Sequence, residues 1–370
     1  MQSNFRNILI NLTVGSIIPC MLCTLCFFNV ISIVTVKVLL VISFLLFVIL
    51  PLIFKFSYKL QTAVLFLNFA HLPYNADYAN PHKYGLHNSR NFYLKTDDDI
   101  TLGVWQILPL TIEDDYGVIN ETDQFFEEAL GDGKDVIIYY HGNAGARLSG
   151  HRVELYKILR KQFHVIAFDY RSYGDSTNDQ PSETKLVKDC IFMYNWVAER
   201  TKGSLFVWGH SLGTSLSLHS LSILQKRGIE PTGVILESPF NNFRDECSEF
   251  PLSWMFRFLP WFSYTITEPM YKNGFTFESD KYICNVDAPI LILHAQDDHV
   301  VPIKLGKRLY EEGKRCRRHS QGVLMFHEFD GKHGYQHKFI CRAPEIDGII
   351  RDFVSLTKRR NRGKSLNSSR

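Results

Sequence analysis

A short stretch in the middle of the chain decides which fold this sequence can adopt. It reads Leu205-Phe206-Val207-Trp208-Gly209-His210-Ser211-Leu212-Gly213. The first four residues are apolar and typical of a buried strand, and a helical pattern follows with Leu212, Leu216 and Leu221. The glycines on both sides of Ser211 permit a tight turn, which would hold the serine at an exposed apex. The stretch therefore predicts a nucleophilic serine on a strand–turn–helix elbow.

Further short apolar runs lie on both sides of this stretch. They are continuous rather than alternating, as expected for strands in a sheet that helices cover on both faces. The predicted strands are Thr101–Ile107, Val136–Tyr140, Val165–Asp169, Leu205–Trp208, Val234–Leu236, Ile290–Leu293 and Val323–Phe329. Helical patterns lie between them, one capped by Ser182, one after Ser211 and one over residues 303–313. This alternation predicts a mostly parallel α/β sheet.

The loop after the strand 136–140 is predicted to stabilise a reaction intermediate. It reads His141-Gly142-Asn143-Ala144-Gly145. Acyl transfer to a serine passes through a tetrahedral intermediate, whose negative oxygen needs preorganised N–H donors. The residue after the nucleophile supplies one donor in this kind of elbow, which assigns the Leu212 N–H. We assign the second donor to the Asn143 N–H, with the Ala144 N–H as the alternative.

The loops after the last two predicted strands offer an acid and a base for the serine. Asp297 and Asp298 follow the strand 290–293, and we choose Asp298 to hold the imidazole in one tautomer. His333 and His337 lie on the loop after the last strand, and their spacing does not separate them. With either histidine, the chain order is serine, aspartate, histidine, which is the order that the α/β-hydrolase fold uses.

An apolar segment near the N-terminus predicts a membrane anchor. Residues 38–54 are apolar except for Ser43 and the break at Pro51. Crossing a bilayer core takes roughly 20 apolar residues, and Lys37 and Lys55 can extend this run by snorkelling to the two surfaces. We expect one retained span at about 38–54, because no small-residue cleavage site indicates a signal peptide. Two spans broken near Lys37 are the alternative, and the flanking charges give no orientation.

Composition excludes several other classes of protein. The chain has 370 residues, of which 45% are apolar, and a net charge of +3, so global disorder is excluded. The basic residues crowd the last part of the chain without a recognition module, so we expect no nucleic-acid partner. The cysteines show no metal-ligand pairing and leave the redox compartment open: they are Cys20, Cys23, Cys26, Cys190, Cys247, Cys284, Cys316 and Cys341. We therefore expect neither a metal nor a cofactor.

These features predict the organisation of the chain. Residues 1–57 form the membrane anchor, 58–90 a juxtamembrane segment, 91–356 the catalytic domain and 357–370 a basic tail. An aromatic segment at about 250–277 interrupts the α/β rhythm between the sixth strand and the strand that leads to the acid. We interpret it as a lid whose apolar inner face receives a hydrocarbon chain, and an ordinary core helix is the alternative.

Several motifs together resemble the membrane-anchored α/β-hydrolase-domain lipases that act on lysophosphatidylserine and monoacylglycerol. The matching stretches are Phe66–Phe69, Gly103–Trp105, His141–Ala144, Asp169–Arg171, Gly209–Gly213, His294–Asp298 and Gly334–Lys338. The resemblance covers about residues 40–355. It implies Asp298 as the acid and His337, rather than His333, as the base. It also implies a single-pass anchor in the endoplasmic reticulum membrane with the catalytic domain in the lumen.

The expected function is hydrolysis of a single-chain lipid ester through an acyl-enzyme on Ser211. The anchor and the aromatic segment favour a lipid substrate taken from the membrane. Four cations are candidates to bind its charged head group, and a surface salt bridge is the other role expected of each: Arg147, Arg152, Arg171 and Arg244. A thioesterase that removes palmitate from proteins is one alternative, and a non-enzymatic scaffold is another. The sequon Asn120-Glu121-Thr122 favours a glycosylated, lumenal domain.

Overall fold

The computed structural model describes residues 20–25, 27–28, 30–68, 75–111 and 122–368, without the side chains of 252 and 361–368. Cys26, Asn120 and the side chains of the basic tail beyond residue 360 lie outside this description. Tertiary contacts divide the described residues into two compact units. The anchor unit contains the described residues up to Leu65 and Arg244–Thr276, and the catalytic unit contains Phe66–Phe243 and the described residues from Phe277 onward.

The helices and strands occur in this order along the chain. The helices are α1 (Ile33–Phe44), α2 (Leu50–Phe56), α3 (Tyr58–Phe66), α4 (Asp123–Ala129), α5 (Gly150–Leu159), α6 (Glu183–Ala198), α7 (Leu212–Gln225), α8 (Phe243–Glu249), α9 (Glu268–Lys272), α10 (Ser279–Tyr282), α11 (Ile303–Cys316) and α12 (Ile346–Ser368). The strands are β1 (Ser89–Lys95), β2 (Thr101–Ile107), β3 (Val136–Tyr140), β4 (His164–Phe168), β5 (Leu205–His210), β6 (Gly233–Glu237), β7 (Ile290–Ala295) and β8 (Leu324–Phe329).

The catalytic unit is built on one eight-stranded sheet with the order β1-β2-β4-β3-β5-β6-β7-β8. β2 pairs antiparallel with β1 and with β4. All the remaining neighbours, in the order β4-β3-β5-β6-β7-β8, pair parallel. Every residue of β3, β4, β5, β6 and β7 is buried, which explains why their sequences are continuous apolar runs. The mostly parallel α/β sheet predicted from the sequence is confirmed.

The sequence-based strand assignments miss one strand. β1, with the sequence Ser-Arg-Asn-Phe-Tyr-Leu-Lys, pairs along its whole length with β2, from Ser89 opposite Ile107 to Lys95 opposite Thr101. It lies at the edge of the sheet and is only partly buried, so it needs few apolar residues and leaves no apolar run to detect. The cap predicted for α6 is confirmed, since the Ser182 hydroxyl accepts the Lys185 N–H at 3.3 Å.

The parallel strands bring four loops to one edge of the sheet, because their carboxyl ends all point the same way. Ser211 follows β5, and the loop that begins at His141 follows β3. Asp298 lies on the loop after β7, and His337 lies on the loop after β8. The sheet order therefore collects the predicted site residues from four separate parts of the chain.

In the anchor unit, the apolar N-terminal segment forms one helix over Ile33–Phe56. The helix has 24 residues. Its most apolar stretch has a mean hydropathy of 3.0, and 6% of that stretch is buried. At 1.5 Å per residue, the helix is about 36 Å long, which is enough to cross a bilayer. It is the one such helix among the described residues. Pro51 does not end it, because it occupies the first turn of α2 after a π-helical turn over Leu45–Ile49.

Candidate active site

Ser211 stands between β5 and α7, in the strand–turn–helix setting that the sequence predicts. Its backbone has φ 52° and ψ −118°, a conformation with positive φ that non-glycine residues rarely adopt. The Ser211 N–H donates to the Glu237 carbonyl oxygen at 2.9 Å, which attaches the turn to the end of β6. Backbone strain that the surroundings maintain in this way is typical of a nucleophile elbow.

The glycines beside Ser211 are required by space rather than by backbone conformation. A Cβ atom on Gly213 would lie 2.0 Å from the Tyr140 carbonyl oxygen. A Cβ atom on Gly209 would lie 2.6 Å from the Gly213 carbonyl oxygen. Both obstacles are backbone atoms, which cannot move aside as the end of a flexible side chain can. The absence of a side chain at Gly213 therefore lets the elbow pack against β3, and its absence at Gly209 lets the two ends of the elbow approach each other.

Asp298 and His337 lie in direct contact. Asp298 Oδ2 is 2.7 Å from His337 Nδ1, and both residues are buried. The other carboxylate oxygen of Asp298 accepts the N–H groups of Val300 and Val301, each at 2.9 Å. These two bonds orient the carboxylate, so the structure brings together the acid and the base that the family resemblance implies.

The surroundings of Asp298 keep it ionised. Burial would raise its pKa, but the attraction of His337 and hydrogen bonds from His294 and His337 outweigh burial and hold the pKa well below its usual range. His294 Nε2 lies 3.4 Å from Asp298 Oδ2 and donates to the Val301 carbonyl at 2.9 Å. Because an ionised carboxylate can only accept, His337 carries its proton on Nδ1 and leaves Nε2 free to take another.

His210 links the nucleophile elbow to the loop that carries His337. Its Nε2 donates to the backbone carbonyl oxygen of His337 at 2.9 Å, and the two rings are 4.9 Å apart. Burial and the nearby His337 lower the pKa of His210 well below its usual value, so it is neutral. Sequence reasoning missed this role. His210 was visible inside the serine motif, but no sequence pattern indicates which distant backbone atom its ring contacts.

The residues that competed for the acid and base positions have other contacts. His333 is exposed, and its ring stacks on Tyr335 at 5.5 Å between centroids. The Asp297 carboxylate accepts the Gln336 N–H at 3.2 Å, which holds the loop next to His337. Residue spacing alone does not decide whether His333 or His337 is the candidate base. In the structure it is His337 that lies within hydrogen-bond distance of Asp298.

The loop after β3 approaches Ser211 closely. A Cβ atom on Gly142 would lie 3.1 Å from Ser211 Cβ and 2.8 Å from His210 Nδ1. The Arg152 guanidinium donates to the Gly142 and Ala144 carbonyl oxygens at 3.0 and 2.8 Å. In a trans peptide the carbonyl and the following N–H point in opposite directions. The Asn143 N–H therefore points away from Arg152.

The three cations of the catalytic unit that were considered for a lipid head group are buried in the protein framework. Arg147 pairs with Asp169 and Asp175, and it is fully buried rather than on the surface. Arg171 is buried as well and pairs with three carboxylates: Asp98, Asp179 and Asp189. Arg152 holds the loop carbonyls described above. The fourth cation, Arg244, belongs to the anchor unit and pairs with Glu268 at 3.0 Å.

One group of three side chains among the described residues has metal-ligand geometry, namely Cys284, Glu312 and Cys316. Cys284 and Cys316 are joined in a disulfide. Their sulfur atoms are therefore not thiolates, which are the form that binds metal ions. The disulfide ties the residues after α10 to the end of α11, and no sequence pattern indicates this pairing.

Glu237, at the end of β6, is a buried carboxyl group beside the elbow. Burial raises its pKa from 4.5 to about 8, although the Trp208 indole N–H donates to it at 2.8 Å. Between these two pKa values the folded state binds more protons than the unfolded state. The free energy of unfolding therefore falls as the pH rises through this window, by up to about 1.4 kcal/mol per pH unit.

We expect Glu237→Gln to flatten this pH dependence, because the amide oxygen can still accept the Trp208 N–H and does not ionise. The measurement is the thermal unfolding midpoint of both proteins in detergent, on the acid and on the alkaline side of the Glu237 pKa. The variant should lose less stability than the wild type on the alkaline side. An equal loss in both proteins would contradict the prediction.

Comparison with solved structures shows which fold this is. The esterase Pf2001 of Pyrococcus furiosus superposes with a TM-score of 0.54 at 17% identity, over 77% of this chain and 95% of that chain. The family described as serine aminopeptidase, S33, matches residues 131–281. Together with the sheet order and the strand–turn–helix setting of Ser211, these matches show that the chain has the α/β-hydrolase fold.

Relatives with higher sequence identity match most of the chain. Lysophosphatidylserine lipase ABHD12 of Danio rerio is 37% identical over 84% of this chain and 81% of that protein. The protein of the same name from Xenopus tropicalis is 38% identical over 85% and 81%. Protein ABHD12B of Homo sapiens is 33% identical over 79% of each chain. This chain therefore belongs to the ABHD12 family of α/β-hydrolases.

Proposed function

We propose that this protein is a membrane-anchored serine hydrolase that cleaves single-chain lipid esters, lysophosphatidylserine or monoacylglycerol. The observation that carries the proposal is the buried Asp298–His337 pair, which His210 connects to the elbow of Ser211. The relatives named as lysophosphatidylserine lipases support the first of these substrates. The apolar helix Ile33–Phe56 supports a substrate that resides in a membrane.

In the first half of the reaction, the Ser211 Oγ attacks the ester carbonyl carbon and gives its proton to His337 Nε2. The ionised Asp298 stabilises the resulting imidazolium through the Nδ1–H. When the tetrahedral intermediate collapses, the bond between the carbonyl carbon and the alcohol oxygen breaks. His337 returns the proton to that oxygen, and the glycerol or glycerophospho alcohol leaves an acyl-enzyme on Ser211.

In the second half, water replaces the alcohol. His337 Nε2 takes a proton from the water as it attacks the acyl carbon, and the same nitrogen then protonates Ser211 Oγ as the fatty acid leaves. Atoms and charges balance without a cofactor or a metal ion. The protein groups that take part all lie at the carboxyl edge of the sheet, and water is the co-substrate.

The negative oxygen of each tetrahedral intermediate accepts N–H bonds from Leu212 and Asn143. Arg152 supports the choice of Asn143 because it binds the Gly142 carbonyl and so directs the Asn143 N–H the other way. The Ala144 N–H, the alternative donor, already donates to the Asn143 side-chain oxygen at 2.9 Å. Removal of one such donor typically costs about 3–4 kcal/mol of transition-state stabilisation.

The Ser211→Ala variant tests the function directly. We expect it to lose labelling by a fluorophosphonate probe and to lose hydrolysis of both lipids, because the probe reacts with an activated serine. Ser222→Ala on α7, whose hydroxyl donates to the His219 carbonyl, is the matched control and should keep both activities. Undiminished labelling of Ser211→Ala would overturn the assignment.

Lipid profiling of cells that express the wild type or Ser211→Ala then distinguishes the substrates. Accumulation of lysophosphatidylserine with the variant supports the first, and accumulation of monoacylglycerol the second. A wild-type protein that neither labels nor turns over any lipid would favour the non-enzymatic scaffold.

We further propose a single-pass topology with the catalytic unit in the lumen of the endoplasmic reticulum. The Cys284–Cys316 disulfide supports this side of the membrane, because such bonds persist in oxidising compartments. It disfavours the palmitoyl-protein thioesterase, whose substrates face the cytosol.

Protease treatment of sealed microsomes tests the proposed topology. The catalytic unit should be protected until detergent opens the vesicles, and a gel shift after reduction should report the disulfide. Digestion in intact vesicles would contradict lumenal placement and favour the thioesterase.

A further inference from the structure

Within the anchor unit, residues 244–276, which include residues 250–276 of the predicted aromatic segment, pack along the apolar N-terminal helix. The contacts of this longer segment follow one direction along the helix. The Trp261 indole N–H donates to the Phe47 carbonyl oxygen at 2.6 Å. Three residues later in the segment, the Tyr264 ring makes a cation–π contact with Lys55, whose Nζ is 3.2 Å from the ring centre. Trp261 thus contacts the middle of the helix and Tyr264 contacts its end.

The same series of contacts continues beyond the helix into α3. Asn273 Nδ2 donates to Gln61 Oε1 at 2.7 Å. Gln61 Nε2 in turn donates to the carbonyl oxygen of Phe54, near the end of the N-terminal helix, at 2.9 Å. The ring of Phe275 stacks on Tyr58 at 5.6 Å. The second half of the segment therefore runs alongside the helix, in the same direction, from Phe47 to the start of α3.

These contacts give the segment a depth relative to a membrane that the helix crosses. Phe47 and Lys55 are eight residues apart, which is about 12 Å along a helix. The Lys55 ammonium requires water or lipid head groups, so it marks the membrane surface. Phe47 then lies about 12 Å below that surface, within one leaflet of a hydrocarbon core that is about 30 Å thick.

We propose that residues 250–262 are inserted among the acyl chains of one membrane leaflet, beside the part of the helix between Phe47 and Lys55. The occupant of their outer surface is phospholipid. The proposal goes beyond the hydrolase function and does not depend on it, because it concerns only the anchor unit.

The bond between Trp261 and Phe47 has a chemical reason inside a bilayer. Pro51, four residues after Phe47, has no N–H to donate to the Phe47 carbonyl. Hydrocarbon cannot donate a hydrogen bond, and an unsatisfied carbonyl there costs several kcal/mol. The Trp261 indole supplies the donor that Pro51 lacks. Phe256 covers the same place, with its ring 6.1 Å from that of Phe47.

The outer surface of the inserted residues suits lipid. Trp254 is 62% exposed and Phe250 is 37% exposed, although neither side chain gains from contact with water. Arg257 is the single charged residue between positions 250 and 262. It donates to the Ser248 carbonyl and lies 3.8 Å from Glu249. An arginine at this depth is tolerated because it has partners and its long stem can snorkel toward the head groups.

The part of the segment at the level of Lys55 has the composition of a membrane interface. Arg244 pairs with Glu268 and lies over the Tyr271 ring at 4.0 Å. Tyrosine is enriched at head-group level, where the ring is in apolar surroundings and the hydroxyl is in water. Charged groups and tyrosines thus lie at the end of the helix, and tryptophan and phenylalanine lie deeper.

Quenching of tryptophan fluorescence tests the depth directly. The full-length protein is placed in phosphatidylcholine vesicles with and without lipids brominated in the middle of their chains. Bromine quenches indoles that it contacts. We expect bromolipid to quench wild-type emission and Trp254→Phe to lose much of the quenchable part. Trp196→Phe, on α6 of the catalytic unit, is the matched control and should leave that part unchanged.

A gain of signal provides the second arm. Phe250→Trp should add emission that bromolipid quenches and that aqueous acrylamide does not. Unchanged bromolipid quenching in Trp254→Phe, together with acrylamide quenching of the Phe250→Trp indole, would place the segment in water and overturn the proposal. Bromolipid quenching that disappears as the protein-to-lipid ratio rises would assign the surface to a second copy of the chain, which also contradicts the proposal.

Discussion

His337→Ala is expected to lower kcat for lipid ester hydrolysis by a factor of about 10⁴, because no other group would accept the Ser211 proton. His333→Ala is expected to leave kcat within a few-fold of the wild type. His333 is exposed and stacks on Tyr335, whereas His337 donates to the buried Asp298. The two variants remove the same side chain from the same loop, four residues apart, so each is the control for the other.

The measurement for this pair is the rate of release of fatty acid from a monoacylglycerol in detergent micelles, together with fluorophosphonate labelling. His333→Ala should unfold near the wild-type temperature, whereas His337→Ala removes the buried partner of Asp298 and should unfold at a lower one. Both rates are therefore measured well below the unfolding midpoint of His337→Ala, which separates loss of chemistry from loss of structure. A large loss of kcat in His333→Ala with activity kept in His337→Ala would reverse the assignment of the base.

Gly213→Ala is expected to destabilise the catalytic unit by about 3 kcal/mol and to remove labelling of Ser211. The added Cβ would lie 2.0 Å from the Tyr140 carbonyl oxygen, so either β3 or the elbow must shift. A shift of the elbow also displaces the Leu212 N–H and Ser211 Oγ from the geometry that the reaction needs.

Gly348→Ala is the matched control for this substitution. Gly348 lies in α12, and a Cβ atom there would meet nothing within 4 Å. Alanine in an open helical position should raise stability by about 0.5–1 kcal/mol and leave activity unchanged. Thermal unfolding and probe labelling measure both variants. If Gly213→Ala unfolds and labels like the wild type, the elbow does not require a glycine at this position.

Most of the central strands could be predicted because burial on both faces leaves a local mark in the sequence. Val136–Tyr140 and its parallel neighbours are continuous apolar runs for that reason. β1 leaves no such mark because it lies at the sheet edge and carries polar residues. Ser211 could be predicted as well, since its strand, turn and helix are adjacent in the chain.

The arginines show that residue type alone does not predict which cations are free to bind a ligand. The sequence makes Arg147, Arg152 and Arg171 candidate head-group ligands because they are cations near the motifs. All three are buried, and their partners are carboxylates and carbonyl groups of the framework. Nothing in the sequence distinguishes a buried arginine from an exposed one at these positions, because the partners come from other loops.

The sequence by itself determined the serine elbow, the chain order of the proposed serine, acid and base, and the apolar helix, because each depends on residues that are adjacent or on chain order. Residue spacing did not decide between His333 and His337 as the proposed base, and the family resemblance implied His337. The tertiary structure placed His337 on Asp298, joined Cys284 to Cys316 and grouped the aromatic segment with the N-terminal helix. These outcomes depend on distances between residues far apart in the chain, which local patterns of residue type do not encode.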